Sequence, residues 1–138
     1  MFNNVSELDA VEYRLSIHGL SHELSDHFRL IEFASGDGAD VLLISHELID
    51  GLEALRIWAG APVRINSGYR SPPHNAAIGG VPNSRHTKGL ASDVDVMGKT
   101  PAEVATWAED NGFGGVGRYN TFTHVDVFSE NRRWDKTT

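Results

Sequence analysis

The sequence predicts an α+β domain with a small, mostly antiparallel central sheet and flanking helices. Three observations carry this. Two segments have helical periodicity with matched caps, several short runs alternate apolar and polar residues, and glycine, proline and asparagine punctuate what lies between. There is no internal repeat and no low-complexity linker. With 138 residues the chain reads as a single domain over 1–138, large enough to bury about two thirds of its unfolded surface.

Residues 1–23 are polar and mixed, and their role is left open, with a short helix expected around Val5–Leu15. A semi-apolar run from Leu24 to Phe33 leads into a turn, Ser35-Gly36-Asp37-Gly38. The clearest helix follows. Ser45 is placed as N-cap and Glu47 lies in the first turn; Leu48, Leu52, Leu55 and Ala59 recur at a helical period, and Gly60 stands where a C-terminal cap belongs. Val63 and Ile65 then alternate with Arg64 and Asn66, as in a half-buried strand. Ser67 to Ser84 is irregular, with a short helix expected over Pro73–Ile78. Ala91–Met97 reads as a strand, with Val94 and Val96 on one face and Asp93 and Asp95 on the other. Thr100-Pro101-Ala102-Glu103 is a capping box with proline at the first helical position, and its helix should run to Asp110 before Asn111-Gly112. Gly114–Arg118 and Thr123–Phe128 complete a strand pair. The tail Asn131-Arg132-Arg133-Trp134 either lines a cleft or closes the fold.

Composition narrows the chemistry. Apolar residues make up 40% and charged residues 22%, ordinary for a soluble globular fold. With no cysteine, neither disulfides nor thiolate ligands are available, and any metal must sit on His, Asp or Glu. A net charge of −7 without a Lys/Arg cluster argues against nucleic acid as a partner. The amino terminus lacks a basic region followed by an apolar run, and no stretch approaches ~18 uninterrupted apolar residues. Neither a signal peptide nor a membrane span is therefore expected.

Against that background, His86, Asp93 and His124 stand out as a three-ligand set for zinc. His86 and Asp93 are seven residues apart with Gly89 between them, which suits a loop running into a strand; His124 would arrive from the neighbouring strand. Three protein ligands leave the fourth tetrahedral position to water, as in catalytic rather than structural sites. One carboxylate against a divalent ion leaves the site net positive and able to acidify that water. Spacing alone leaves the ordinary alternative open, in which His86 is a loop histidine, Asp93 a surface acid and His124 a core residue. His18, His22, His27 and His46 are given no role.

The flanking residues add a resemblance. Ile65-Asn66-Ser67-Gly68-Tyr69-Arg70-Ser71-Pro72, His74-Asn75, Ser84-x-His86-x-x-Gly89-x-Ala91-x-Asp93 and His124-Val125-Asp126-Val127 occur in that order. Together, from about Leu24 to Phe128, they resemble the M15 peptidases, specifically the zinc D-alanyl-D-alanine carboxypeptidase subfamily. That group is related to VanX-type dipeptidases, L-alanyl-D-glutamate phage endolysins and the hedgehog amino-terminal domain. The resemblance implies a fold of that type and a zinc metallopeptidase acting on bacterial cell-wall peptides, either the peptidoglycan stem or a D-Ala-containing dipeptide. It makes His86, Asp93 and His124 the zinc ligands. Arg70 becomes the residue that polarises or anchors a substrate carbonyl or carboxylate, and its alternative is a surface salt bridge. Ser84 falls near the substrate, or else orders its loop. Tyr69 and His74 frame that loop.

One position departs from the pattern. Many such enzymes carry a glutamate three residues before the last ligand as general base, and here that residue is Thr121. The nearest acid is Asp126, two residues along the strand and about 6–7 Å beyond His124 on the same face. It is either the base or a partner that hydrogen-bonds a ligand histidine, and Asp95 is a weaker choice for both roles. The expected activity is carboxypeptidase-like. A murein endopeptidase of the phage-lysin kind and a non-catalytic zinc-binding domain on the same scaffold remain the alternatives. A monomer is expected, as a phage or prophage product or a mature form acting outside the cytoplasm.

Overall fold

The computed structural model describes residues 10–138. Strand β1 (Val11–Arg14) and β2 (Val41–Ile44) form an antiparallel two-stranded ribbon, with Val11 opposite Ile44 and Arg14 opposite Val41. The helix expected over Val5–Leu15 is therefore corrected. Its first part, residues 5–9, lies outside the described residues, and Val11–Arg14 are strand because Tyr13 is buried and paired against β2. One helical turn, α1 (Leu15–His18), follows the ribbon.

Helix α2 (His46–Ala59) begins where its cap was expected. The Ser45 hydroxyl accepts from the Leu48 N–H, and Gly60 closes the helix in the left-handed region. Leu48, Leu52 and Leu55 are buried, as their spacing requires. Helix α3 (Pro72–Ala77) opens on two prolines and is capped by Ser71, and α4 (Pro101–Asp110) carries the complete capping box of Thr100 and Glu103. No helix among the described residues is long and apolar enough to cross a membrane.

The main sheet has five strands in the order β3-β4-β6-β5-β7, formed by β3 (Val63–Ser67), β4 (Ala91–Val96), β5 (Gly115–Arg118), β6 (Thr123–Asp126) and β7 (Arg132–Asp135). All its pairings are antiparallel except β5–β7, which is parallel. One face packs Val94, Val116 and Val125 into the core with α4 against it; the other carries the polar residues of the site.

The entry into β4 is set by a single turn of 3-10 helix, Arg85–Lys88, which ends at Gly89 with φ +76°. There the chain presses on β2, so that a Cβ on Gly89 would lie 2.3 Å from the Leu43 carbonyl oxygen. The Gly89 carbonyl in turn accepts from Ser45 N–H at 2.9 Å, tying the ribbon, α2 and the site loop together. Gly89→Ala should therefore destabilise the fold. Left-handed strain alone is worth about 1–3 kcal/mol, and the backbone overlap adds to it. The expected result is a lower urea midpoint with an unchanged slope.

Candidate metal centre

Strand register builds the site. Asp93 on β4 faces His124 on β6 directly, while Ser67 and Gly117 continue the same row on β3 and β5. The 3-10 turn, N-capped by the Ser84 hydroxyl, lowers His86 onto this row from above. His86, Asp93 and His124 are each less than one tenth exposed. One ligand atom from each, two imidazole nitrogens and a carboxylate oxygen, lies within 4.8 Å of the others.

The outer nitrogens of both rings are committed. His86 Nδ1 donates to the Gly68 carbonyl at 2.8 Å, and His124 Nε2 donates to Asp126 Oδ2 at 2.9 Å. In the neutral rings this leaves His86 Nε2 and His124 Nδ1 as bare lone pairs. They stand 3.2 and 3.1 Å from Asp93 Oδ1, which is itself an acceptor. Three acceptors pointing at one another need a cation between them, either protons or a metal. The two spacings to Asp93 Oδ1 match the ~3.3 Å edge of a tetrahedron with ~2.0 Å bonds, and the two nitrogens lie within 4.8 Å of each other, so the donor set fits zinc.

The charge states follow the same logic. Burial pushes Asp93 up, but hydrogen bonds and charge from His124 and His86 outweigh it and hold the carboxyl below the ordinary carboxylate range. Burial pulls His124 down, and its contacts with Asp126 and Asp93 reverse this and raise it. Asp126, also disfavoured as an anion by burial, is lowered by His124 and Arg132.

Arg70, in the segment that follows β3, reaches Asp93 Oδ2 at 3.2 Å, with further bonds to Ser67 Oγ and Asn75 Oδ1. Its salt bridge is thus with a member of the ligand set. Above these groups opens a cleft of about 640 Å³, lined among others by Arg70, Ser84, Tyr119, Phe122, Arg132 and Trp134. Tyr119 and Phe122 stack with ring centroids 4.3 Å apart, and the Trp134 indole donates to the Tyr119 hydroxyl.

A family model described as Peptidase M15 matches residues 25–126. The chain belongs to the peptidase M15 family. Among relatives, the zinc D-Ala-D-Ala carboxypeptidase of Streptomyces albus G is 35% identical over 80 residues, covering 54% of this chain and 31% of the relative. The chain thus spans less than a third of that relative's length.

Within this M15 domain, Thr121 is exposed, and the two acids that line the cleft are Asp93 and Asp126. Asp95 sits opposite Arg64 and does not line it. His46 bonds the Tyr13 hydroxyl and His27 pairs with Glu53, both away from the cleft. Sequence reasoning gave no role to the glycines of β5 or to individual residues of β7. Their signal was the alternation Gly115-Val116-Gly117, since glycine at every second strand position marks a face that something else must cover.

Zinc titration should saturate at one ion per chain. His86→Ala should lose high-affinity binding, while His46→Ala should leave it intact, both read by elemental analysis after gel filtration.

Proposed function

We propose that this M15 domain is a zinc peptidase that cleaves D-alanine-containing peptides of the bacterial cell wall, in the manner of a carboxypeptidase. The observation carrying the reading is the cluster of three acceptor atoms at the cleft floor, with both outer imidazole nitrogens already committed. The substrate class is suggested by the name of the Streptomyces relative. A zinc ion held by His86, Asp93 and His124 would supply Lewis acidity toward an amide carbonyl and acidify water near neutral pH.

The remaining work falls to the protein. Arg70 spends three of its five N–H donors on Ser67, Asn75 and Asp93, which leaves two for a substrate carbonyl or carboxylate. Tyr119, Phe122 and Trp134 give the cleft an apolar wall that excludes water from a bound peptide. Ser84 accepts from the His86 N–H, which favours the loop-ordering role over a substrate contact. Asp126 is fully buried and bonded to both His124 and Arg132, which favours orienting His124 over taking a proton from water.

That last observation also favours a second reading. With Thr121 at the usual glutamate position and both cleft acids engaged, a domain that holds zinc for binding, without turnover, is consistent with the same geometry.

The deciding assay follows release of D-alanine, and separately internal cleavage, from stem peptides with the zinc-loaded protein. Turnover is expected, with Arg70→Ala reducing kcat by ~10²–10³, the loss typical of one transition-state donor. At saturating zinc, Asp126→Asn should keep most of its kcat. A loss as large as that of Arg70→Ala would return Asp126 to the role of base. Zinc binding without cleavage of any stem peptide would establish the binding-domain reading instead, and internal cleavage alone would make the domain an endopeptidase.

A further inference from the structure

We propose that Arg132 on β7 is a positioning residue of the metal centre, acting through Asp126 on His124. The last strand then works as part of the site and is more than an edge of the sheet. This rests on reading the His86–Asp93–His124 cluster as a zinc site. The family match covers residues 25–126, and β7 follows the matched residues.

The contact is a fork. Arg132 places its two terminal nitrogens on the two oxygens of Asp126, at 2.5 and 3.2 Å, and its Nε donates to the Glu130 carbonyl. Asp126 is fully buried, and its Oδ2 meets His124 Nε2 while its Oδ1 also accepts from the Phe128 N–H. A guanidinium holding both oxygens fixes the carboxylate plane in a way a point charge cannot. That plane decides where the acceptor stands relative to the imidazole. With the acceptor at Nε2, the ring hydrogen is kept there and Nδ1 remains the ligand atom facing Asp93.

The reach required is unusual. β7 and β6 are separated by β5, about 9–10 Å across two strand spacings. In register, Arg132 faces Gly115, which faces Asp126; Trp134 faces Gly117, which faces His124. The two glycines leave the gap open. A Cβ on Gly115 would lie 2.1 Å from Asp126 Oδ2, and one on Gly117 would lie 2.4 Å from the Trp134 ring. Over the second glycine the Trp134 indole comes within 4.9 Å of the His124 ring, centroid to centroid. Arg133, the intervening residue of β7, bonds instead to the Gly114 carbonyl and pairs with Glu109.

The test compares apparent zinc affinity, by chelator competition, in the wild type, Arg132→Gln, Arg132→Lys and Arg133→Gln. Thermal midpoints of the zinc-free proteins and visible spectra of their cobalt(II) forms are recorded alongside. Arg132→Gln should weaken zinc binding by ~10- to 100-fold, as loss of a group supporting a ligand does. Arg132→Lys, which keeps the charge without the fork, should recover only part of it. The cobalt bands should shift in both Arg132 variants and not in Arg133→Gln. If Arg132→Gln does not fold, Arg132→Lys decides alone. Arg132 variants that bind zinc as tightly as the wild type, with an unchanged cobalt spectrum, would overturn the proposal even if their thermal midpoints fell. Failure of the wild type itself to bind zinc would instead overturn the metal-site reading beneath it.

Discussion

Asp93 and His124 face each other across β4 and β6, and that single rung of the ladder decides whether the chain has a site at all. Side chains alternate faces along a strand, so a one-residue slip would send one of the pair into the apolar layer and bring a valine out in its place. The valines on the opposite face oppose such a slip. Val94, Val116 and Val125 are fully buried under α4, and a slip of one residue in any of these strands would turn its valine out of the core. Packing on one side of the sheet thus fixes the chemistry on the other. His86 is the one member of the candidate triad that the sheet does not supply. It comes from a turn braced by Ser84 before it and by Gly89 against β2 after it.

Charge is arranged as carefully as register. Arg70 meets Asp93, and Asp126 meets Arg132, so two buried carboxylates are each matched by a guanidinium at the cleft wall. The His124 imidazole sits between them, making one continuous path from Arg70 through Asp93 and His124 to Asp126 and Arg132. These four charges cancel, so a divalent ion bound at the centre would leave the site net positive toward substrate. The arrangement also means that removing either guanidinium leaves a buried carboxylate short of a charge partner, and breaking a buried pair costs ~3–5 kcal/mol in comparable cases.

Much of this is legible in the sequence. Ser45, Gly60 and the Thr100–Glu103 box marked helix ends because capping is a local event, written within four residues. The same holds for β4, where alternating aspartates and valines announced one polar face and one apolar face. The two strands of the ribbon were less visible. Each has only four residues, and β1 is a strand because of a partner thirty residues away, which local periodicity does not record. β7 was harder still. Arg-Arg-Trp-Asp has a weak strand signature, and its parallel pairing with β5 is a purely tertiary choice. The ligand triad was visible only as spacing and as part of an ordered set of motifs, whereas the partners of its outer nitrogens, Gly68 and Asp126, follow from the fold. So does Arg70's engagement with Asp93, a part-buried ion pair in place of a surface one.

The central claim is that three acceptor atoms, His86 Nε2, Asp93 Oδ1 and His124 Nδ1, converge to hold one zinc ion. The most direct test is the anomalous scattering of zinc-soaked crystals measured at the zinc edge. One strong peak per chain, bounded by those three atoms with His124 coordinating through Nδ1, is the expected result. A peak elsewhere, coordination through His124 Nε2, or no peak in crystals that bind zinc in no other way would contradict the account.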